Sequence, residues 1–388
     1  MVTRKMMYRI PYRALRIFLF LVLFQIIRPI AAQDRLDPSQ RLSAREVEAG
    51  EVEAFEGESG VGEAGRGESV KGESVKSEAV EGEAGRGDLR LMWYNVENLF
   101  DPSDDTLPGD DEFTPEGVRY WSYDRYHQKL TRLARVIVAA GRWQPPEVVG
   151  LCEVESPQVL EDLVSHPILA SYHYSYLHRE GPDHRGMDVA CIFRPERFNP
   201  VGWQFISPVA GEGFEETREM LHLKGIWGSH DTLELFLIHF ISRYRGAGAT
   251  AVYRREQAAR LAFLVDSVRS RAPGNLVVVA GDFNDTREAW SMEPLKGLYS
   301  PLSVEASSYK YRGAWSGIDL FLVSGGCERY RIGGSVFNLS HLLVPDLTYG
   351  GEKPFRTYEG YHYTGGYSDH LPVLLDISRT PFSRRFEP

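Results

Sequence analysis

The chain has 388 residues, is 43% hydrophobic and 12% aromatic, and carries a formal net charge of −10. It is long enough for two average domains or one large α/β domain, and apolar enough for a sizeable core. The acidity excludes a general polyanion-coating protein, but not an enzyme that meets phosphate through a bound cation.

Arg4, Lys5, Arg9, Arg13 and Arg16 precede an apolar run from Ile17 to Ile27, and Ile30-Ala31-Ala32 offers a cleavage site before Gln33. This is a signal-peptide pattern over 1–32, too short for a comfortable membrane span. It predicts an exported protein (periplasmic, cell-surface or secreted), with an uncleaved anchor as the alternative. Residues 33–88 form a Glu-rich linker. Glu48, Glu53, Glu58, Glu63, Glu68, Glu73, Glu78 and Glu83 recur every five residues. That period matches neither helix nor strand, so no apolar face accumulates, and the composition predicts a disordered tether. The folded domain is expected over 89–388, where 31 basic and 39 acidic residues leave a net of −8. Cys152, Cys191 and Cys327 are odd in number and lack metal spacing, so they read as buried thiols.

Within the domain, strand-like and helix-like runs alternate. Leu89 to Val96 reads as a strand. Tyr126, Leu130, Leu133 and Ile137 lie at helical spacing and predict a helix over Tyr123 to Ala140. Glu147 to Cys152 is a second strand, and Ser156-Pro157 opens a short helix as N-cap and first-turn proline. Further strands are expected at Tyr172–Leu177, Asp188–Phe193, Glu219–Gly225 and Leu233–Phe240. A long amphipathic helix follows over Ala251–Val268. The last strands are expected at Asn275–Ala280, Ile318–Val323 and Val373–Ile377. Hairpin-like pairs mixed with single helices predict a mixed-sheet α/β or α+β domain, with two packed sheets and helices outside.

Polar residues recur at the ends of these strands. The run Val277-Val278-Val279-Ala280 is a strand buried on both faces. It is broken by Gly281 and followed by Asp282, Asn284 and Asp285. Ligands bind at such strand ends in open α/β sheets, although Asn-Asp-Thr is also good turn chemistry. Asn95, Glu153 and His239 end three other strands, Asp319 starts one, and Ser368-Asp369-His370 precedes the last. Each alone has a structural explanation: a cap, a turn or a core histidine. Together they suit metal-assisted phosphoester hydrolysis. Hard oxygens such as Glu153 and Asp369 favour Mg2+ or Mn2+ over zinc. A histidine beside a carboxylate titrates near neutrality. Asp282 and Asn284 can orient a water or a phosphoryl oxygen.

The ordered set Asn95, Glu153, His239, Gly281-Asp282-Phe283-Asn284, Asp319 and Ser368-Asp369-His370 resembles the endonuclease/exonuclease/phosphatase superfamily, from about Leu89 to Ser378. The resemblance implies a DNase-like four-layer sandwich of two mixed β-sheets flanked by helices. It implies Glu153 as the main metal ligand, assisted by Asn95 and Asp369, with Mg2+ or Mn2+ as the ion and Ca2+ as a third option. It implies His370 as the base oriented by Asp319, Asp282 as a second water-orienting carboxylate, and Asn284 as a phosphate-binding amide. His239 is similar to the histidine that stabilises the transition state or protonates the leaving oxygen. Asp188 is a candidate to hold His239 in its tautomer. Arg185 and Arg243 are candidate phosphate contacts and read equally as exposed strand-end charges. The expected activity is an exported phosphodiesterase or nuclease. A phosphatase or phospholipase C-like enzyme acting on inositol or sphingolipid head groups is the alternative, and a non-catalytic binding protein is an alternative of another class. Nucleic acid is a candidate substrate, no stable protein partner is implied, and a monomer is expected.

Overall fold

The computed structural model describes residues 88–104, 109–141, 144–208, 217–228, 231–244, 246–303, 306–324 and 327–379. The leader over 1–32 and the repeat tether up to residue 87 lie outside these residues, as do Trp143, Arg245 and the side chain of Cys327. In chain order the elements are β1 (Leu89–Leu99), α1 (Tyr123–Ala140), β2 (Val148–Val154), α2 (Pro157–Val164), β3 (Ser175–Leu177), β4 (Asp188–Phe193), β5 (Phe198–Ile206), β6 (Met220–Trp227) and β7 (Asp231–His239). Then come α3 (Ala247–Arg271), β8 (Leu276–Asp282), the hairpin β9 (Tyr309–Tyr311) and β10 (Ala314–Ser316), β11 (Asp319–Ser324) and β12 (Tyr330–Val336). Two small hairpins, β13 (Leu343–Pro345) with β14 (Glu352–Pro354) and β15 (Tyr358–Glu359) with β16 (His362–Tyr363), precede β17 (Val373–Arg379).

Two large mixed sheets carry the fold. The first runs β12-β17-β1-β2-β4-β3 and the second β11-β8-β7-β6-β5. Each contains one parallel pair, β1 with β2 and β7 with β8. Each parallel pair is joined through a long helix, α1 or α3, as parallel strands require. Side-chain alternation in β1 separates the layers. Leu89, Leu91 and Trp93 enter the core between the sheets with Leu235, Leu237, Val278 and Ala280. Met92, Tyr94 and Val96 face the other way, with the apolar stripes of α1 and α2. Ala258, Leu261, Val265 and Val268 of α3 join the core of the second sheet. The result is a four-layer α/β/β/α sandwich.

Two helices, α1 and α2, begin where their caps stand. Ser122 accepts from the Arg125 N–H and Ser156 from the Val159 N–H, with Pro157 in the first turn. The strand expected from Tyr172 starts later, at Ser175. Ala170–Tyr172 is a 3-10 turn, and His173 closes it in the left-handed region at φ 52°. Two full strands were not anticipated, β5 and β12. Both are edge strands with alternately exposed residues, interrupted by Pro200 and Gly202 or by Gly333 and Gly334. Edge strands tolerate such residues and therefore lose their pattern. Among the described residues no helix is long and apolar enough to cross a membrane.

Candidate active site

Strand register assembles the site. The parallel pairing sets His239 opposite Asp282, and the antiparallel pairing sets Asp319 opposite the same residue. Gly281 allows this approach, since a Cβ there would sit 2.4 Å from Ile238 Cδ1. In the first sheet Asn95 pairs with Cys152, so Glu153 follows directly beyond it. Register then shifts, and Glu97, Asn98 and Glu153 adopt φ of 53°, 54° and 64°. Left-handed backbone at non-glycine residues is costly and gathers at functional sites. Asn284 joins them at φ 49°.

One side of the site is built around Asp319. His370 Nδ1 lies 2.7 Å from Asp319 Oδ2. Ser308 Oγ donates to the same oxygen at 2.5 Å, and Trp93 Nε1 donates to Oδ1 at 3.0 Å. The turn that carries His370 is pinned by Ser368, whose Oγ donates to Asn95 O at 2.7 Å and accepts from the His370 N–H at 3.0 Å. His370 Nε2 faces Asp282 Oδ2 at 3.9 Å and Asp369 Oδ1 at 4.0 Å. Burial alone would lower the His370 pKa. The negative charge of Asp319, with Asp282 and Asp369 behind it, outweighs burial and raises it well above the usual value.

The other side gathers carboxylates. Asn95 Nδ2 donates to Glu153 Oε1 and Asp282 Oδ2, both at 3.1 Å. Its Oδ1 accepts from the Glu97 N–H at 3.0 Å. Asn95 is therefore a clamp between two carboxylates. That oxygen fixes the strained turn and keeps a second lone pair for the expected ligand role. Burial, then the Asp369 charge, raises the Glu153 pKa. Burial and Asp319 push Asp282 up to about 7. His239 Nε2 lies 3.6 Å from Asp282 Oδ2 and 4.0 Å from Glu153 Oε1. Burial, with Arg185 and His370 nearby, lowers His239 to about 3, so it is neutral at neutral pH.

Two expectations need correction. Asp188 does not orient His239. Its carboxylate accepts from the Gly181 N–H at 3.1 Å and lies 3.6 Å from His178, while His239 Nδ1 has no hydrogen-bond partner among the described residues. Arg243 does not stand free for phosphate: it donates to Asn284 O at 2.6 Å and pairs with Asp285. Asn284 gives one Nδ2 hydrogen to Phe240 O at 3.0 Å and keeps the second, while its N–H holds Asp282 Oδ1 at 2.8 Å. Arg185 stays close enough to lower both Glu153 and His239. Arg179 pairs with Glu219, Arg255 with Glu293, and Arg254 is buried against Asp285.

Sequence reasoning missed several supports. Glu97 is buried and accepts from Arg356 Nε at 3.2 Å and the Thr357 N–H at 2.6 Å, and Arg356 also donates to Asp369 Oδ2 at 3.2 Å. Lys129, fully buried in α1, donates to Glu97 O, Thr357 Oγ1 and Tyr367 O. Its signal was legible, since position 129 is three residues after Tyr126 on the core-facing stripe. Trp93, Ser308 and Tyr309 carried no comparable signal. Of the tryptophans, Trp121 is buried and donates to Phe100 O, while Trp315 is exposed.

A family model described as the Endonuclease/Exonuclease/phosphatase family matches residues 90–379. The chain belongs to this family. Solved structures are similar to the chain. An endonuclease/exonuclease/phosphatase from Bacteroides vulgatus aligns at 13% identity over 76% of this chain and 99% of its own, with a TM-score of 0.50. The human nocturnin catalytic domain with bound sulfate aligns at 15% identity over 76% and 96%, with a TM-score of 0.48. Humanized D. rerio TDP2 aligns at 14% over 75% and 99%, also at 0.48. The comparison with curated proteins finds no match.

The family resemblance implies a divalent cation, and two clusters in this chain offer donors for one. The ligand atoms of Asp282, Asp319 and His370 lie within 4.8 Å of one another. Asp319 is already bonded to His370, Trp93 and Ser308, and Asp282 to the Asn284 N–H and Asn95, so they form a relay rather than a cage. Glu153 and Asp369 fit better: their side chains are 18% and 21% exposed. Both oxygens of Glu153 accept single N–H bonds, from Asn95 and Asn98, and keep a further lone pair. Burial, then repulsion from Asp369, raises Glu153, as expected of hard oxygen donors held close together.

Proposed function

We propose that this chain is a divalent-metal-dependent phosphodiesterase, most simply a nuclease, that hydrolyses a P–O bond with an activated water. The observation that carries this reading is His370: Nδ1 is fixed at 2.7 Å on Asp319, and Nε2 faces the space bounded by Asp282 and Asp369. With the Nδ1 proton on Asp319, Nε2 is left to accept a proton from water. The raised pKa makes it a stronger base than free imidazole. Asp282, steadied by the Asn284 N–H and by Asn95, can orient the same water. Neutral His239 suits hydrogen-bond donation to a phosphoryl oxygen better than full proton transfer. Glu153 and Asp369 would hold the cation, which supplies neutralisation of phosphate charge and of the leaving oxyanion. Through the leader over 1–32, the proposal includes export.

The test is hydrolysis of bis-p-nitrophenyl phosphate by the purified chain with Mg2+ or Mn2+, and with EDTA. Turnover with either cation and none in EDTA is expected. Undiminished turnover in EDTA would remove the mechanism. A panel of DNA, RNA, inositol phosphates and sphingomyelin then ranks substrates.

A further inference from the structure

Beside His370 the chain builds a short projecting hairpin. β9 and β10 pair Tyr309 with Ser316 and Tyr311 with Ala314. Arg312 and Gly313 turn it with φ of 48° and 85°, the left-handed geometry that matches the twist of a two-residue hairpin. Its base is fixed on the proposed catalytic base, since Tyr309 bridges His370 and the ring centroids are 4.7 Å apart. Its middle is fixed by Lys310, whose Nζ lies 2.9 Å from Asp346 Oδ2, with both side chains buried, and donates to Gly350 O at 2.7 Å. Its tip packs on Tyr349, where a Cβ at Gly313 would come within 2.9 Å of the Tyr349 Cβ. Yet Tyr311 is 57% exposed, with the Arg312 guanidinium 5.2 Å from its ring centroid. Residues i and i+2 of a strand share a face, so Tyr311 stands beside Tyr309, about 7 Å further along the hairpin.

We propose that Tyr311, with Arg312, is a stacking shelf for an unpaired nucleobase of a single-stranded nucleic acid whose phosphodiester lies at His370. This rests on the phosphodiesterase reading above and narrows it to one substrate class. A ring held rigidly in water binds a planar group without paying to order itself. Base faces are free to stack on aromatic rings only when unpaired, and a duplex hides them. Charge points the same way. Residues 89–388 carry a net −8, and Arg179, Arg254 and Arg255 are paired to carboxylates. Duplex affinity depends on neutralising phosphates with free cations. Stacking supplies affinity without them, and the Arg312 guanidinium adds a planar cation at the shelf.

The test uses the full chain with Mg2+ and two single-stranded DNA oligonucleotides of equal length, one ordinary and one built of abasic tetrahydrofuran residues. The wild type is expected to prefer the ordinary strand in kcat/KM by about tenfold or more. Tyr311→Ala is expected to shrink that preference through KM, and Tyr311→Phe to keep it. An unchanged preference in Tyr311→Ala, or a wild type that prefers duplex, would overturn the shelf. If the chain hydrolyses bis-p-nitrophenyl phosphate and sphingomyelin or inositol phosphates but neither strand, the shelf falls and the phosphoesterase reading stands. If it hydrolyses none of these with Mg2+ or Mn2+, both fall.

Discussion

The two sides of the site differ in what the chain supplies. Around Asp319 the polar groups are satisfied from within: Trp93, Ser308 and His370 all bond to one buried carboxylate. Around Glu153 and Asp369 the chain leaves a surplus of negative charge. Arg356 and buried Lys129 offset part of it, and burial with Asp369 still raises both Glu153 and Glu97. The first side is preorganised, so its dipoles need no rearrangement during reaction. On the proposed reading, a cation completes the second side. The contrast predicts that the two sides fail differently.

The largest effect belongs to the incomplete side. Glu153→Ala is expected to lower kcat/KM by about 10³-fold or more, with the fold kept. Mg2+ should also raise the Tm of the wild type and not of this variant, because a ligand stabilises only the state that binds it. Equal Mg2+ stabilisation of both proteins would move the ion elsewhere. On the preorganised side, His370→Ala is expected to cost about 10²- to 10³-fold in kcat, the range of a general base. Mg2+ stabilisation should survive there.

Asp319→Asn separates charge from geometry. Burial tends to lower the His370 pKa, and the Asp319 charge is the largest opposing cause. A base with a raised pKa is protonated at neutral pH, so wild-type kcat/KM is expected to climb as pH rises above 6.5. The amide keeps the shape and removes the charge, so the climb should move to lower pH while maximal kcat falls. A pH profile that keeps its position would show that another group titrates.

These contrasts also explain what could be read without coordinates. α1 and α2 were visible because Ser122 and Ser156-Pro157 announce their first turns. β4 matches its expected ends because neighbours on both sides bury all six of its residues. Residues such as Asn95, Glu153 and Asp282 announce themselves by breaking apolar runs. Their partners do not. Ser308 reaches Asp319, and Arg356 reaches Glu97 across 259 residues, from loops whose local pattern is unremarkable. Asp188 was misassigned for the same reason. It pairs with Val154 in the first sheet, whereas His239 belongs to the second, and strand patterning contains nothing about how two sheets face each other.

Asp188 gives the smallest and most local test. Burial pushes its carboxyl up to about 7, and burial holds the neighbouring His178 down to about 4. Their signs oppose. A carboxyl with a raised folded pKa contributes stability that is full below about 3.9 and is lost as pH rises toward 7. A histidine with a depressed folded pKa contributes stability that is present above about 6.5 and is lost as pH falls toward 4. Between these limits the wild-type slopes offset. Asp188→Asn removes the first slope, keeps an acceptor for the Gly181 N–H, and leaves the His178 slope. The variant is therefore expected to gain stability relative to wild type as pH rises from 4 to 7, by at most about 4 kcal/mol. Urea unfolding at pH 4.5 and pH 7.5 reads this difference. Because Asp188 touches neither His239 nor His370, activity is expected to be retained. A large loss of turnover with stability unchanged would restore Asp188 to the site.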